Sequence, residues 1–308
     1  MKLVEVFVNH KINEDCTFVY SIKPNEYYRI KIGQFVEVPF GNKKILAVVV
    51  NLINKKVDYK VKNIIRIISG KMYNNLSIDI ANFMLNQYYS PISKNIFSFF
   101  GAIPKKINDK DIFDIEDRKI KYINIKYFYS NDLQRINYYI NLIKKRDKII
   151  FSFASIKRAQ EFARIVNYSQ KIFSNNLNVS ERYQLIKEFY LNPKTIIIGT
   201  RHAIFLQSTL GYTIVVDEYN HIGHKNDGHP NYLSEEVVKI LNKYGIEIYL
   251  FSSSPTLSAV KNKWNYLIDE QPKILIKTYT KIDELNFYLE TLVESQNKIL
   301  IFNPIYRS

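Results

Sequence analysis

The sequence predicts a small, β-rich α+β domain followed by an α/β lobe built on a parallel sheet. Two observations carry that prediction. The first hundred residues are short apolar runs of strand-like alternation, separated by turn residues and followed by one stretch of helical period. Beyond residue 121, apolar strands alternate with helical stretches, the pattern of parallel strands joined by helical crossovers.

Residues 2–8 alternate as a strand, and Phe18-Val19-Tyr20 reads as a second. Gln34-Phe35-Val36-Glu37-Val38 leads through Pro39-Phe40 to a turn at Gly41-Asn42. The apolar run 45–50 and the stretch 61–68 complete the strands of a small barrel or sandwich. Over 76–100 the period changes: Leu76, Ile80, Phe83, Met84 and Tyr88 recur at helical spacing, with Pro91 after them. A first domain is therefore expected over 1–104. Residues 105–120 are charge-dense, lack periodicity and read as a linker. The lobe is expected over 121–297, with strands at 122–127, 148–153, 195–198, 213–216 and 247–251. Its helices are expected at 132–145, 155–166, 180–191, 234–244 and 282–295, and a further strand at 298–302 opens the segment 298–308.

Composition narrows the function. The 308 residues carry 44 Lys+Arg against 29 Asp+Glu, a net charge of +15, and 46% hydrophobic residues supply a real core. Residues 1–105 hold 15 of those cations and 7 of the acids, so about half the excess charge sits in the first third. Such a balance points to a polyanion such as nucleic acid, although a chain rich in Ile, Lys, Asn and Tyr also drifts basic through AT-rich codons. The single Cys16 excludes a disulfide framework and a Cys-rich zinc module. No apolar run reaches the roughly 20 residues of a membrane helix, and the N-terminus lacks a signal-like apolar region. A soluble protein of a reducing compartment, the cytoplasm, is expected, with no membrane partner.

The sharpest motif is Ile214-Val215-Val216-Asp217-Glu218, an apolar strand ending in two acids. Nucleotide-driven motors use this Walker B pattern to hold Mg²⁺ with one carboxylate and orient water with the other. Gly199-Thr200-Arg201 precedes it, and Leu250-Phe251-Ser252-Ser253-Ser254-Pro255 follows, in the order found in superfamily 2 helicases. The histidines His221, His224 and His229 cluster near Asp217, but they read as a polar loop and no metal site is expected. The abundant Tyr and Phe residues read mainly as core.

With these runs in view, the chain resembles the primosomal replication-restart helicases, the family of primosomal protein N′. The runs that carry the likeness in the lobe are 197–205, 215–220, His224-Lys225-Asn226 and 250–259. In the first domain they are Thr17-Phe18-Val19-Tyr20, Gly33 through Gly41, Leu85-Asn86-Gln87-Tyr88-Tyr89-Ser90-Pro91-Ile92 and Gly101-Ala102-Ile103-Pro104. The resemblance implies a 3′-DNA-binding domain over 1–104, with Phe18, Gly41 and Lys62 in its end pocket. It also implies a RecA-like helicase lobe in which Gly199, Thr200 and Arg201 touch the DNA backbone. Ser252, Ser253 and Ser254 would form the loop that couples nucleotide to DNA, and Asp217 and Glu218 a remnant of the catalytic acids.

The departures matter equally. Val19 replaces the aspartate that some members carry after the aromatic residue. Where the family's Gly-rich phosphate loop belongs, the chain reads Ile125-Lys126-Tyr127-Phe128-Tyr129-Ser130-Asn131-Asp132, without glycine. The family's Asp-Glu-x-His is Asp217-Glu218-Tyr219-Asn220 here. The second lobe, with its arginine finger and zinc-binding cysteines, is expected to be lacking. The expectation is a DNA-binding replication-restart protein that recognises forked, 3′-ended or single-stranded DNA without ATP-driven unwinding. Its other partners would be primosome or single-strand-binding proteins, and it would need no cofactor and no zinc. Two alternatives stand beside it. One is a fragment or divergent subunit of an ATP-dependent 3′–5′ DNA helicase, with Mg-ATP on Asp217 and Glu218. The other is a non-catalytic docking scaffold for replication proteins.

Overall fold

The computed structural model describes residues 3–10, 16–54, 58–99, 103–104, 107–108, 112–209, 211–228, 230–254 and 265–266. The chain divides into a unit over Met1–Ile268 and a second over Asp269–Ser308, and every described residue belongs to the first. The expected helix at 282–295 and strand at 298–302 lie outside the described residues. No helix among the described residues is long and apolar enough to cross a membrane.

Five strands form the N-terminal sheet: β1 (Leu3–Val8), β2 (Phe18–Ser21), β3 (Gln34–Phe40), β4 (Lys43–Ile53) and β5 (Arg66–Lys71). Their order is β2-β1-β4-β3-β5, and the pairings are antiparallel. Residues 62–65 curl the sheet towards closure. Ser21 N donates to Lys62 O, Ile64 N donates to Ser21 O, and Ile65 N donates to Glu37 O. The stretch expected as one strand over 61–68 is thus a bridge followed by β5, because its first residues bond to β2 across the gap. Alternation then sorts the side chains. Val4, Val6, Val8, Tyr20, Val36, Val38, Ala47 and Val49 fill the concave interior. Phe7, Phe35 and Val48 point outward onto α1 (Asn75–Tyr88) and α2 (Ile92–Phe99), where Leu76, Ile80, Met84 and Ile96 cover them. The single helical stretch expected over 76–100 is two helices. The first ends where Tyr89 adopts φ +52, and Pro91 cannot continue it.

The lobe carries a parallel sheet of six strands in the order β13-β6-β12-β9-β7-β8. These are β6 (Lys126–Tyr129), β7 (Lys148–Phe153), β8 (Thr195–Thr200), β9 (Thr213–Val216), β12 (Glu247–Ser252) and β13 (Asn265–Tyr266). A short hairpin of β10 (Lys225–Asn226) and β11 (Tyr232–Leu233) stands apart. One face packs Phe151, Phe153, Ile198, Val215 and Phe251 against α3 (Asp132–Lys145) and α4 (Ile156–Ile165) through Tyr139 and Phe162. The other packs Ile150, Ile197, Ile214 and Leu250 against α5 (Val179–Leu191) and α6 (Ser234–Asn242). Buried Lys148 closes the end of α5, its Nζ donating to Phe189 O, Tyr190 O and Ser208 Oγ at 2.7, 3.1 and 2.6 Å. The expected strand at 122–127 begins only at Lys126.

Residues 112–118, within the segment read as a linker, pack between sheet and lobe. Phe113 stacks on Tyr190 at 5.0 Å, and the Tyr190 hydroxyl donates to Asp114 O at 2.6 Å. Asp114 accepts from Lys71 N at 2.6 Å, and Asp117 pairs with Lys71 Nζ at 2.7 Å. Gln207 Nε2 donating to Ser77 Oγ at 2.8 Å adds a direct bond between lobe and α1. The two apolar residues Phe113 and Ile115 are buried among charged neighbours, a pattern too short to show as periodicity.

Candidate nucleic-acid interface

At one end of the barrel the interior rows run out into a rim. Past Val8 comes His10, past Val38 comes Phe40, and β2 begins at Phe18. The Phe18 and Phe40 rings meet edge-on at 5.1 Å, and His10 lies 5.2 Å from Phe40. Both phenylalanines are half-buried, resting on the interior core, while His10 is exposed. Lys43 is the cross-strand partner of Phe40 across the Gly41-Asn42 turn, and Lys43 and Lys44 are exposed. Gly41 has φ +57, a conformation that disfavours a side chain, and no atom would lie within 4 Å of a Cβ there. The backbone at the tip is therefore open to close approach. Phe18 packs against Phe40, the chain neighbour of Gly41. Lys62, also exposed, pairs by its carbonyl with Ser21. That places it at the far end of β2, about 10 Å of strand from Phe18.

In the lobe, Gly199 permits close packing: a Cβ there would stand 2.6 Å from Phe173 O. Thr200 N donates to the same carbonyl at 3.0 Å. Arg201 turns inward, with Nη2 donating to Asn226 Oδ1 at 3.2 Å and Nη1 to Gly223 O at 3.4 Å. The three serines lie beside the acid pair. Ser253 N donates to Glu218 Oε2 at 3.0 Å, Ser252 Oγ donates to Asn220 Oδ1 at 2.9 Å, and Ser254 lies within 3.4 Å of Asn220 Nδ2. Residues 35 positions apart are thus joined.

The acid pair stands at the C-terminal end of β9, with Asp217 2% exposed. Tyr139 OH donates to Asp217 Oδ1 at 2.8 Å. Arg135, 4% exposed, puts Nη1 on Glu218 Oε1 and Nε 3.7 Å from Asp217 Oδ1. Arg158 Nε lies 3.6 Å from Asp217 Oδ2, and its Nη2 binds Asp132. Burial pushes the Asp217 carboxyl upward, against the pull of Arg135, Tyr139 and Arg158. Burial also acts on Glu218, but the Ser253 N–H and Arg135 outweigh it and hold that carboxyl below its ordinary value. Glu218 sits at φ +49, a strained conformation that these bonds hold in place. His224 is buried behind the pair, its Nε2 2.7 Å from Asp217 O, and burial lowers its pKa to about 4. His221 Nδ1 accepts from Gly223 N at 2.9 Å. Among the described residues no group of three or more His, Cys, Asp or Glu could hold a metal ion.

The β6–α3 turn lacks a glycine-rich phosphate cradle. Between β6 and α3 only Ser130 and Asn131 intervene, where a phosphate cradle needs several glycine-rich residues. Asn131 and Gln134 form a reciprocal capping box there, so the Asn131 and Gln134 N–H groups are taken by each other's side chains.

A curled antiparallel sheet with an aromatic, lysine-bearing rim is thus joined to a parallel lobe with a Walker-B-like acid pair. Residues 5–100 match the family described as 3′DNA-binding domain (3′BD). The chain is 26% identical over 153 residues to the replication restart protein PriA of Helicobacter pylori strain J99, covering 44% of this chain and 25% of that protein. It is 24% identical over 188 residues to PriA of Buchnera aphidicola, covering 59% of this chain and 24% of the relative. The matches span about a quarter of those relatives' length.

His10, Lys43, Arg135, Tyr139 and Arg158 were not singled out by sequence reasoning, and Phe40 was noticed only as part of a strand. The signal for Phe40 was its place beside the turn glycine. For Arg135 it was a cation four residues before Tyr139 on a helix face that otherwise buries apolar groups.

Proposed function

We propose that this protein is a cytoplasmic replication-restart DNA-binding protein that engages forked or 3′-ended DNA through the barrel rim and does not unwind it by ATP hydrolysis. The match of residues 5–100 to a 3′DNA-binding domain carries the proposal. The rim supports it chemically. Aromatic faces stack bases irrespective of sequence, lysines meet phosphates, and an exposed glycine lets backbone approach backbone. The two-residue, capped β6–α3 turn supports the absence of unwinding.

Binding to a fork bearing a leading-strand 3′-OH is compared with a 3′-phosphate fork and with blunt duplex. Preference for the 3′-OH fork is expected. Equal affinity for all three, falling together with salt, refutes end recognition and leaves only polyanion binding. Mg-ATP is expected to alter none of the three.

A further inference from the structure

We infer that Arg135 and Arg158 take the place of a divalent cation beside Asp217 and Glu218, so that the acid pair is closed into a permanent internal ion-pair network. The inference concerns the lobe alone, and its test reads cation binding rather than DNA binding, so it can fail separately from the function proposed above.

All four carboxylate oxygens are engaged. Asp217 Oδ1 takes the Tyr139 hydroxyl and faces Arg135 Nε, and Asp217 Oδ2 faces Arg158 Nε. Glu218 Oε1 takes Arg135 Nη1, and Glu218 Oε2 takes Ser253 N. A magnesium ion needs near-octahedral oxygen ligands at about 2.0–2.1 Å with several retained waters. Here a guanidinium with 4% exposure occupies the approach to both acids. Two guanidinium groups within 4 Å of Asp217, one of them also on Glu218, repel a third positive charge, and in a partly desolvated site that repulsion is weakly screened. The dependence runs both ways, since a buried guanidinium is stable only with its acids.

The local sequence makes the placement. The capping box at Asn131 starts α3 directly after β6, and Arg135 lies one helical turn further on, with its N–H on Asn131 O. Asp132, in the first turn, pairs with both Arg135 and Arg158 and links α3 to α4. The geometry that removes a phosphate cradle therefore also delivers the substitute cation.

Terbium(III) is the probe, because a bound ion beside Tyr139 gives phenol-sensitised luminescence. The natural chain is expected to give no saturable emission that depends on Asp217, and no thermal shift with Mg-ATP. Arg135→Gln with Arg158→Gln frees the acids, so emission is expected to appear and to vanish when Asp217→Asn is added. Saturable emission from the natural chain that Asp217→Asn abolishes, or a folded double variant without emission, overturns the inference. If the double variant does not fold, Arg135→Gln is compared with Arg135→Gln plus Glu218→Gln. A higher melting temperature for the pair supports the network, and strictly additive losses overturn it.

Discussion

Replacing Phe40 by leucine tests the rim most directly. Phe40 touches Phe18 at 5.1 Å and His10 at 5.2 Å, and its inner edge rests on the barrel core. Leucine keeps that apolar contact, so the fold should lose less than about 1.5 kcal/mol. The flat face is lost. Stacking of a base on an aromatic ring is worth about 1–3 kcal/mol, which corresponds to a roughly 5- to 150-fold rise in Kd. Fluorescence anisotropy with a labelled 3′-OH fork at fixed salt measures it, with a denaturant melt confirming the fold. Because no charge is removed, the dependence of affinity on salt should keep its slope. A folded Phe40→Leu protein binding the fork like the natural chain would refute the placement of the DNA end at this rim.

Lys43→Ala removes an exposed charge beside Phe40; if it meets phosphate, the log–log salt slope of fork binding should fall by about 0.7–0.9, and an unchanged slope rejects that contact. His224 is kept neutral by burial, with its pKa lowered to about 4 against an ordinary value of 6.5. The unfolded chain therefore binds a proton that the native chain refuses, and stability should fall as pH drops from 6.5 toward 4. A melting temperature whose decline over pH 6.5–5 is no flatter in His224→Gln rejects this account. Tyr190→Phe deletes the hydroxyl that donates to Asp114 O and accepts from Glu116 N, leaving two backbone groups unpaired. It should cost about 1–3 kcal/mol, and an unmoved denaturant midpoint contradicts the clamp.

The fold was legible where burial makes sequence patterns strong. Lys148–Phe153 and Thr213–Val216 coincide with the expected strands, because strands covered on both faces read as unbroken apolar runs. The Asn-capped helices α3 and α5 were equally plain, the cap and its Gln134 or Glu181 partner lying within one turn. The stretch 61–68 and the start of β6 were misplaced, since their limits depend on hydrogen bonds to distant partners. The candidate site divides in the same way. Gly41 and Phe18 were reached through the family resemblance, since both lie in the short runs that carry it. The 112–118 clamp escaped notice because its anchors, Lys71 and Tyr190, are remote in the chain. By itself, the sequence determined the order of an antiparallel β-rich region before a parallel α/β sheet, the acid pair, and the lack of glycine over 125–132, all written in short-range spacing. Tertiary structure alone decided that His10, Phe18 and Phe40 share one rim, that Lys62 lies elsewhere, and that Arg135 answers Glu218 from 83 residues away. Charge pairing and ring contact act through space at a few ångströms, and only the folded chain sets those distances.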